Sequence, residues 1–208
     1  EKVVVVLPEG YEPPKEQLGI ELFVFSEKGM IPQRLAALKY IESDFVLFCD
    51  DDVELEPEFV KKLSEPLISG LYSCAAGPLL EFFPPASIKY LFASLIGGAC
   101  VMLHGRENTY VRILRTGGWS YNYSVKVNKH RIYDTDSIPG TCFMVQVKAM
   151  NTVHCEYESW AERTGYSAFE DRIMVSKLVK NGYKVCVVSD AKYEHNDGRT
   201  SVRQLKLE

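Results

Sequence analysis

The stretch SDFVLFCDDDVELEPEFVKKL (residues 43–63) decides how this chain folds. From Phe45 to Cys49 it is apolar without alternation, the mark of a strand buried on both faces. It then breaks into three aspartates, Asp50, Asp51 and Asp52. A buried strand that ends in carboxylates places negative charge at the carboxyl edge of a sheet, where open α/β folds have their ligand crevice. Three crowded carboxylates repel one another unless a cation joins them. The spacing Asp50-x-Asp52 suits Mg²⁺ or Mn²⁺, ions that retain coordination positions for water and for phosphate oxygens. The competing reading is a solvated acidic turn in front of the helix that begins near Pro57. The strand before the aspartates favours the metal–phosphate reading.

Outward from this stretch, strands and helices alternate. VVVVL (3–7) and ELFVF (21–25) read as buried strands, and EGYEPPKEQLG (9–19) between them carries at most a short helical turn. Ile31, Leu35, Leu38 and Ile41 recur at helical spacing, with Arg34 and Lys39 elsewhere on that helix surface. A second helix is expected over 57–69, with Pro57 in its first turn and Gly70 past its end. LYSCAAGPLL (71–80) reads as a strand, GTCFMVQ (140–146) as another, 167–182 as a helix and YKVCVV (183–188) as a closing strand. This rhythm predicts an α/β domain with a mostly parallel central sheet covered by helices on both faces.

The middle of the chain is less regular. Residues 88–103 are nearly uncharged but short and interrupted by Gly97-Gly98, so a buried helix is preferred over a membrane-surface or partner-binding one. Residues 106–135 run in short alternating segments around Gly117-Gly118, which predicts a β-hairpin or long loops.

With 208 residues, 46% of them hydrophobic, the chain can bury one core, and a single domain is expected. A net charge of −4 argues against nucleic acid as the partner, since binding a phosphate backbone needs concentrated positive surface. The six cysteines, Cys49, Cys74, Cys100, Cys142, Cys155 and Cys186, form no C-x-x-C pair and read as buried thiols of a reducing, cytoplasmic compartment. The sequence opens on Glu1-Lys2 directly before a strand, with no signal-peptide pattern and no initiator Met. With Leu207-Glu208 at its end it reads as an excised domain.

The string SEKGMIPQRLAALKYIESDFVLFCDDDVELEPEFVKKL (26–63) resembles the donor-binding half of the family 2 glycosyltransferases: a Gly, a helix bearing an Arg, a strand, then D-x-D. PGTCFMVQ (139–146), Glu170-Asp171, GYKV (182–185) and His195 follow in that family's order. The resemblance implies a single GT-A domain, 1–80 serving the nucleotide-sugar donor and 81–208 the acceptor. It further implies transfer of a sugar from a UDP-sugar or similar donor to a hydroxyl, in the setting of polysaccharide biosynthesis at the cell envelope. The acceptor, whether sugar, lipid-linked or protein, is left open. Peripheral contact with the inner membrane face through 88–103 is a further expectation. Relatives place two strand–helix units before the Gly–Arg helix, and this chain has room for only one, so the first unit is expected to be missing.

The expected roles follow that order. Asp52, Asp50 and His195 would hold Mn²⁺ or Mg²⁺, Asp50 also facing the ribose or metal-bound water and Asp51 supporting. Pro8 and Glu9, in the turn LPEGYEPP, and Arg34 would contact the nucleotide. Departure of a diphosphate builds negative charge that a cation stabilises, and the acceptor hydroxyl needs a base on the other face of the sugar. Asp171 fits the base, with Glu170 beside it raising its pKa by like-charge repulsion. Both acids equally suit a helix's first turn, where acids meet the dipole. Trp119, Trp160 and Glu156 are the weaker acceptor-side candidates, core packing being the commoner fate of Trp. Two other classes stay open: a GT-A-like binding module without activity, and a nucleotidyltransferase, for which the acidic LPEGYEPP is a poor phosphate loop.

Overall fold

A computed structural model of the protein describes residues 2–79, 101–105, 108–115, 118–155 and 170–196, with backbone alone for Val101, Met102, His104 and Glu170. Strands β1 (Val3–Pro8) and β2 (Glu21–Ser26) form a parallel pair, Val3 opposite Glu21 and Pro8 opposite Ser26. The connection across 9–20 contains no helix; it opens with a tight turn in which the Tyr11 N–H donates to the Pro8 carbonyl at 3.1 Å. Helix α1 (Met30–Leu38) follows Gly29, whose φ of 149° suits a residue without Cβ. It is tied to β1 by Gln33, whose Nε2 donates to the Val6 carbonyl at 2.9 Å.

Strand β3 (Phe45–Cys49) occupies the predicted span, and β4 (Val53–Leu55) resumes after the aspartates. Helix α2 (Phe59–Ile68) buries Phe59, Leu63, Pro66 and Leu67, one stripe at spacings of three and four. It starts two residues later than the Pro57 signal predicts, and Pro66 sits in its last turns. A proline there removes the single N–H that would reach the Lys62 carbonyl, and the helix ends two residues on. Gly70, with φ 73°, then turns the chain into β5 (Cys74–Ala76).

Three further strands, β6 (Val101–His104), β7 (Val111–Ile113) and β8 (Trp119–Asn122), form a small sheet in the order β6-β8-β7. β7 and β8 are the hairpin expected around Gly117-Gly118, with Ile113 opposite Trp119. Residues 88–100 of the expected buried helix lie outside the described residues, and 101–104 are strand. β9 (Ile132–Asp134), β10 (Cys142–Gln146), the short α3 (Val147–Met150), α4 (Glu170–Lys180), β11 (Val185–Val188) and β12 (Tyr193–His195) complete the described elements.

The central sheet has the order β3-β10-β5-β11-β9. It is mixed, which corrects the mostly parallel sheet expected from sequence: β5 and β11 are parallel, but β10 runs antiparallel to both β3 and β5, and β9 antiparallel to β11. The reason is that all five residues of β10 are buried. A strand covered on both faces shows a continuous apolar run whichever way it points.

Alternate residues serve two cores. Val46, Phe48, Cys74, Ala76, Phe143, Val145, Val185 and Val187 face α1, α3 and α4, where they meet Ile31, Ala149, Met150, Met174, Val175 and Leu178. Ala75, Cys142, Met144, Cys186 and Val188 face α2, against Phe59, Leu63 and Leu67. Helices therefore cover both faces, as expected. β3 stands at one edge of this sheet, and β1–β2 is a separate pair.

Candidate active site at the carboxyl edge of β3

Because β10 runs against β3, the beginning of one lies beside the end of the other. Cys142 pairs with Cys49, and the Asp50 N–H donates to the Thr141 carbonyl at 2.8 Å. The loop 137–141 is thereby held next to the aspartates. From the other side, β12 pairs antiparallel with β4, with His195 opposite Val53, and the Asn196 N–H donates to the Asp52 carbonyl at 2.8 Å. Two ladders of distant sequence thus converge on one short turn.

Asp50, Asp52 and His195 are brought together: one ligand atom from each lies within 4.8 Å of the other two. His195 Nε2 is 3.4 Å from Asp52 Oδ2, and the imidazole is largely covered. Two carboxylates and an imidazole, all half-buried at a sheet edge, form a donor set that fits Mn²⁺ or Mg²⁺, with hard oxygens dominant and one nitrogen. Asp51 is exposed and is not part of this trio.

Arg34, expected against the nucleotide, is turned into the protein. Its guanidinium donates to the Gly140 carbonyl at 2.9 Å and stands 3.9 Å from Asp50 Oδ1. The rings of Phe143 and Phe48 lie 5.5 and 6.0 Å from it. A planar cation clamped between a carboxylate, a carbonyl and two aromatic faces orients what it touches. Here that is Asp50 and the loop at Gly140. Pro8 closes β1, and Glu9 is exposed beyond it with its N–H on the Ser26 carbonyl at 2.9 Å.

Thr141, which accepts from the Asp50 N–H, also lines a cleft of about 360 Å³, together with the rest of the loop from Ser137 and with Tyr110, Trp119, Tyr121, Asp171 and Arg172. Asp171 stands at the start of α4, where its Oδ1 accepts the Arg172 N–H at 2.7 Å, a contact that any first-turn acid can make. Its setting is less ordinary. A Cβ placed on Gly140 would lie 3.1 Å from the Asp171 Cβ and 3.3 Å from its Oδ2, so the absence of a side chain at 140 leaves room for that carboxylate at the cleft. Trp119 lines the wall with the Arg172 guanidinium 4.3 Å above its ring. Of Glu170 only the backbone is described, and Trp160 and Glu156 lie outside the described residues.

Tyr110, Tyr121 and Arg172 are cleft residues that sequence reasoning did not single out. Arg172 had a signal, since it directly follows Glu170-Asp171, whereas the tyrosines had none. The cross-strand pairing of Cys49 with Cys142 was also missed, and Cys49, expected to be buried, is exposed because it ends an edge strand. Cys142 hydrogen-bonds to Cys49 and lowers the Cys49 pKa from its ordinary value, against burial and the charges of Asp50, Asp52 and Asp51. The same hydrogen bond, with burial, raises the Cys142 thiol.

The trio is a candidate cation site at the carboxyl edge of a strand, the edge at which open α/β sheets place their ligands. The profile of glycosyl transferase family 2 matches residues 9–152. The chain belongs to that family, and its domain has the GT-A fold. Among solved structures it is similar to GalNAc-T7, crystallised with UDP, GalNAc and Mn²⁺, at 13% identity and a TM-score of 0.57 over 91% of this chain. The chain spans 37% of the length of that structure. It also matches 2-C-methyl-D-erythritol 4-phosphate cytidylyltransferase from Thermus thermophilus, at 16% identity and a TM-score of 0.47, over 99% of this chain and 79% of the other. No curated protein matches the sequence. Among the described residues no helix is long and apolar enough to cross a membrane.

Proposed function

We propose that this domain transfers a sugar from a nucleoside-diphosphate donor, a UDP-sugar or close analogue, to an acceptor hydroxyl by a single inverting displacement. The observation that carries the reading is the convergence of Asp50, Asp52 and His195 within 4.8 Å, joined through Thr141 to a cleft that Asp171 lines. The three side chains would hold Mn²⁺ or Mg²⁺, which supplies charge stabilisation for a departing diphosphate. Arg34 orients Asp50 through its contacts to that carboxylate and to Gly140.

On the acceptor side Asp171 takes the proton from the attacking hydroxyl, and a single displacement needs no covalent nucleophile. Trp119, under the Arg172 guanidinium, and Tyr121 line the cleft on the side where an acceptor sugar would lie. Pro8 and Glu9, at the carboxyl end of β1, border the nucleotide, and Glu170 supports the base. The free thiols suit a cytoplasmic setting. The competing reading, a donor-binding module without turnover, draws on β3 standing at the edge of its sheet.

Titration calorimetry with UDP tests the cation role. UDP should bind much more tightly with Mn²⁺ than with chelator, and Asp52→Ala should erase the difference while keeping the fold. Equal affinity in both conditions for the folded wild type would sink the assignment. A donor that is bound but neither transferred nor hydrolysed would select the module reading.

A further inference from the structure

We infer that Cys49 and Cys142 form an oxidative modification site, a dithiol that closes to a disulfide and in doing so weakens the neighbouring cation site. The second half of the inference rests on the cation reading of Asp50, Asp52 and His195; the first does not. Cys49 and Cys142 sit directly opposite each other on adjacent antiparallel strands. Hydrogen-bonded and non-hydrogen-bonded pairs alternate along such a ladder. The Asp50 N–H bonds to the Thr141 carbonyl at 2.8 Å, which makes that rung a hydrogen-bonded one and leaves the next, Cys49 with Cys142, non-hydrogen-bonded. Rungs of that kind bring Cα atoms to about 4.5 Å and their side chains closest. This lies just inside the disulfide range, which begins at about 4.4 Å.

Cys49 is exposed at the carboxyl edge of β3, whereas Cys142 is buried behind it. A low-molecular-weight disulfide such as oxidised glutathione can therefore reach Cys49. The Cys49 sulfur attacks one sulfur of the reagent and releases one glutathione thiol. The Cys142 sulfur then attacks the Cys49 sulfur of the mixed disulfide and releases the second. One protein disulfide forms, one reagent disulfide is reduced to two thiols, and the two cysteine protons leave with them. A disulfide with an exposed sulfur, as Cys49 would supply, is readily reduced, the property of a regulatory rather than a structural bond.

The consequence is local. Asp50 follows Cys49 in the chain, while Thr141 and Gly140 precede Cys142. Closing the bond changes the spacing of the two strands at this rung, towards the wider separation usual for disulfides, and so displaces a member of the trio on one side. On the other it displaces the loop that receives Arg34 and packs on Asp171.

The whole chain, reduced or treated with oxidised glutathione, would be digested without reduction, its disulfides mapped by mass spectrometry, and its Mn²⁺ affinity measured by calorimetry. Expected are a peptide linking Cys49 to Cys142, a loss of Mn²⁺ affinity on the order of 10-fold, the scale of disturbing groups that orient a metal's ligands, and full recovery with dithiothreitol. Cys49→Ala, an exposed and mild change, should bind Mn²⁺ like the reduced wild type and be indifferent to the oxidant. If no such linkage forms, or if it forms with Mn²⁺ affinity unchanged, the inference is overturned while the cation reading stands. If the reduced protein takes up no Mn²⁺, the cation reading fails and the coupling with it.

Discussion

At the residue scale the site divides into groups that face the cleft and groups that hold them. Asp171 belongs to the first kind, and its carboxylate has room because residue 140 carries no side chain. Asp171→Asn keeps its size and much of its hydrogen bonding but removes the basic lone pair. Transfer should fall about 10²–10⁴-fold, the usual contribution of a general base, with donor affinity nearly unchanged. A fully active variant in a single-turnover assay would exclude Asp171 as the base and direct attention to Glu170. Arg34 belongs to the second kind. A sequence can show that an arginine lies on the right helix, but whether it reaches outward to a ligand or inward to Gly140 and Asp50 depends on groups supplied by other strands.

At the scale of elements, α2 holds one face of the sheet through a stripe that includes fully buried side chains, Phe59 and Leu63 at 0% exposure. Leu63→Ala removes apolar contacts with little room for collapse. It should cost roughly 2–5 kcal/mol in urea unfolding, and a loss below about 1 kcal/mol would show that the helix repacks. The same helix is tied down at its surface by Lys62, which donates to the Asp190 carbonyl at 2.8 Å and lies 3.5 Å from its carboxylate. For Asp190, burial acts to raise the pKa. The hydrogen bond and charge of His130 and the charge of Lys62 outweigh it and hold the carboxyl below its ordinary value. A carboxyl with a lowered folded pKa binds fewer protons than in the unfolded chain, so its stabilisation is present above the unfolded value and is lost as pH falls through the folded one. The stability difference between wild type and Asp190→Asn should therefore shrink as acid protonates this carboxyl, below the range in which His130 gains its charge. A difference that grows as this carboxyl is protonated would contradict the sign.

At the scale of the whole molecule, the cation trio is built from β3, the turn after it and β12, and the cleft from β7, β8, the 137–141 loop and α4. A ligand that bridges these parts binds only the folded state and raises its stability by mass action, about 2.7 kcal/mol when present at about 100 times its Kd. UDP with Mn²⁺ should accordingly raise the melting temperature more than UDP and Mn²⁺ do separately, and strictly additive shifts would argue that they occupy independent sites.

Much of this architecture was legible in the sequence. The boundaries of β3 and the start of the acidic turn could be read directly, because Val46 and Phe48 pack in one core, Phe45 and Leu47 against the other, and the first aspartate must end the apolar run. α1 was legible from periodicity, α2 from Pro57 and Gly70 at its ends, and the hairpin, as one of two readings, from Gly117-Gly118. These are local properties, settled by which residues tolerate water and which backbone angles they prefer. The direction of β10, the approach of His195 to Asp52, the inward turn of Arg34 and the pairing of Cys49 with Cys142 were decided by tertiary structure alone. Each depends on which distant segments share a rung of a sheet. That choice is made by the free energy of the whole core, and no short window of sequence contains it.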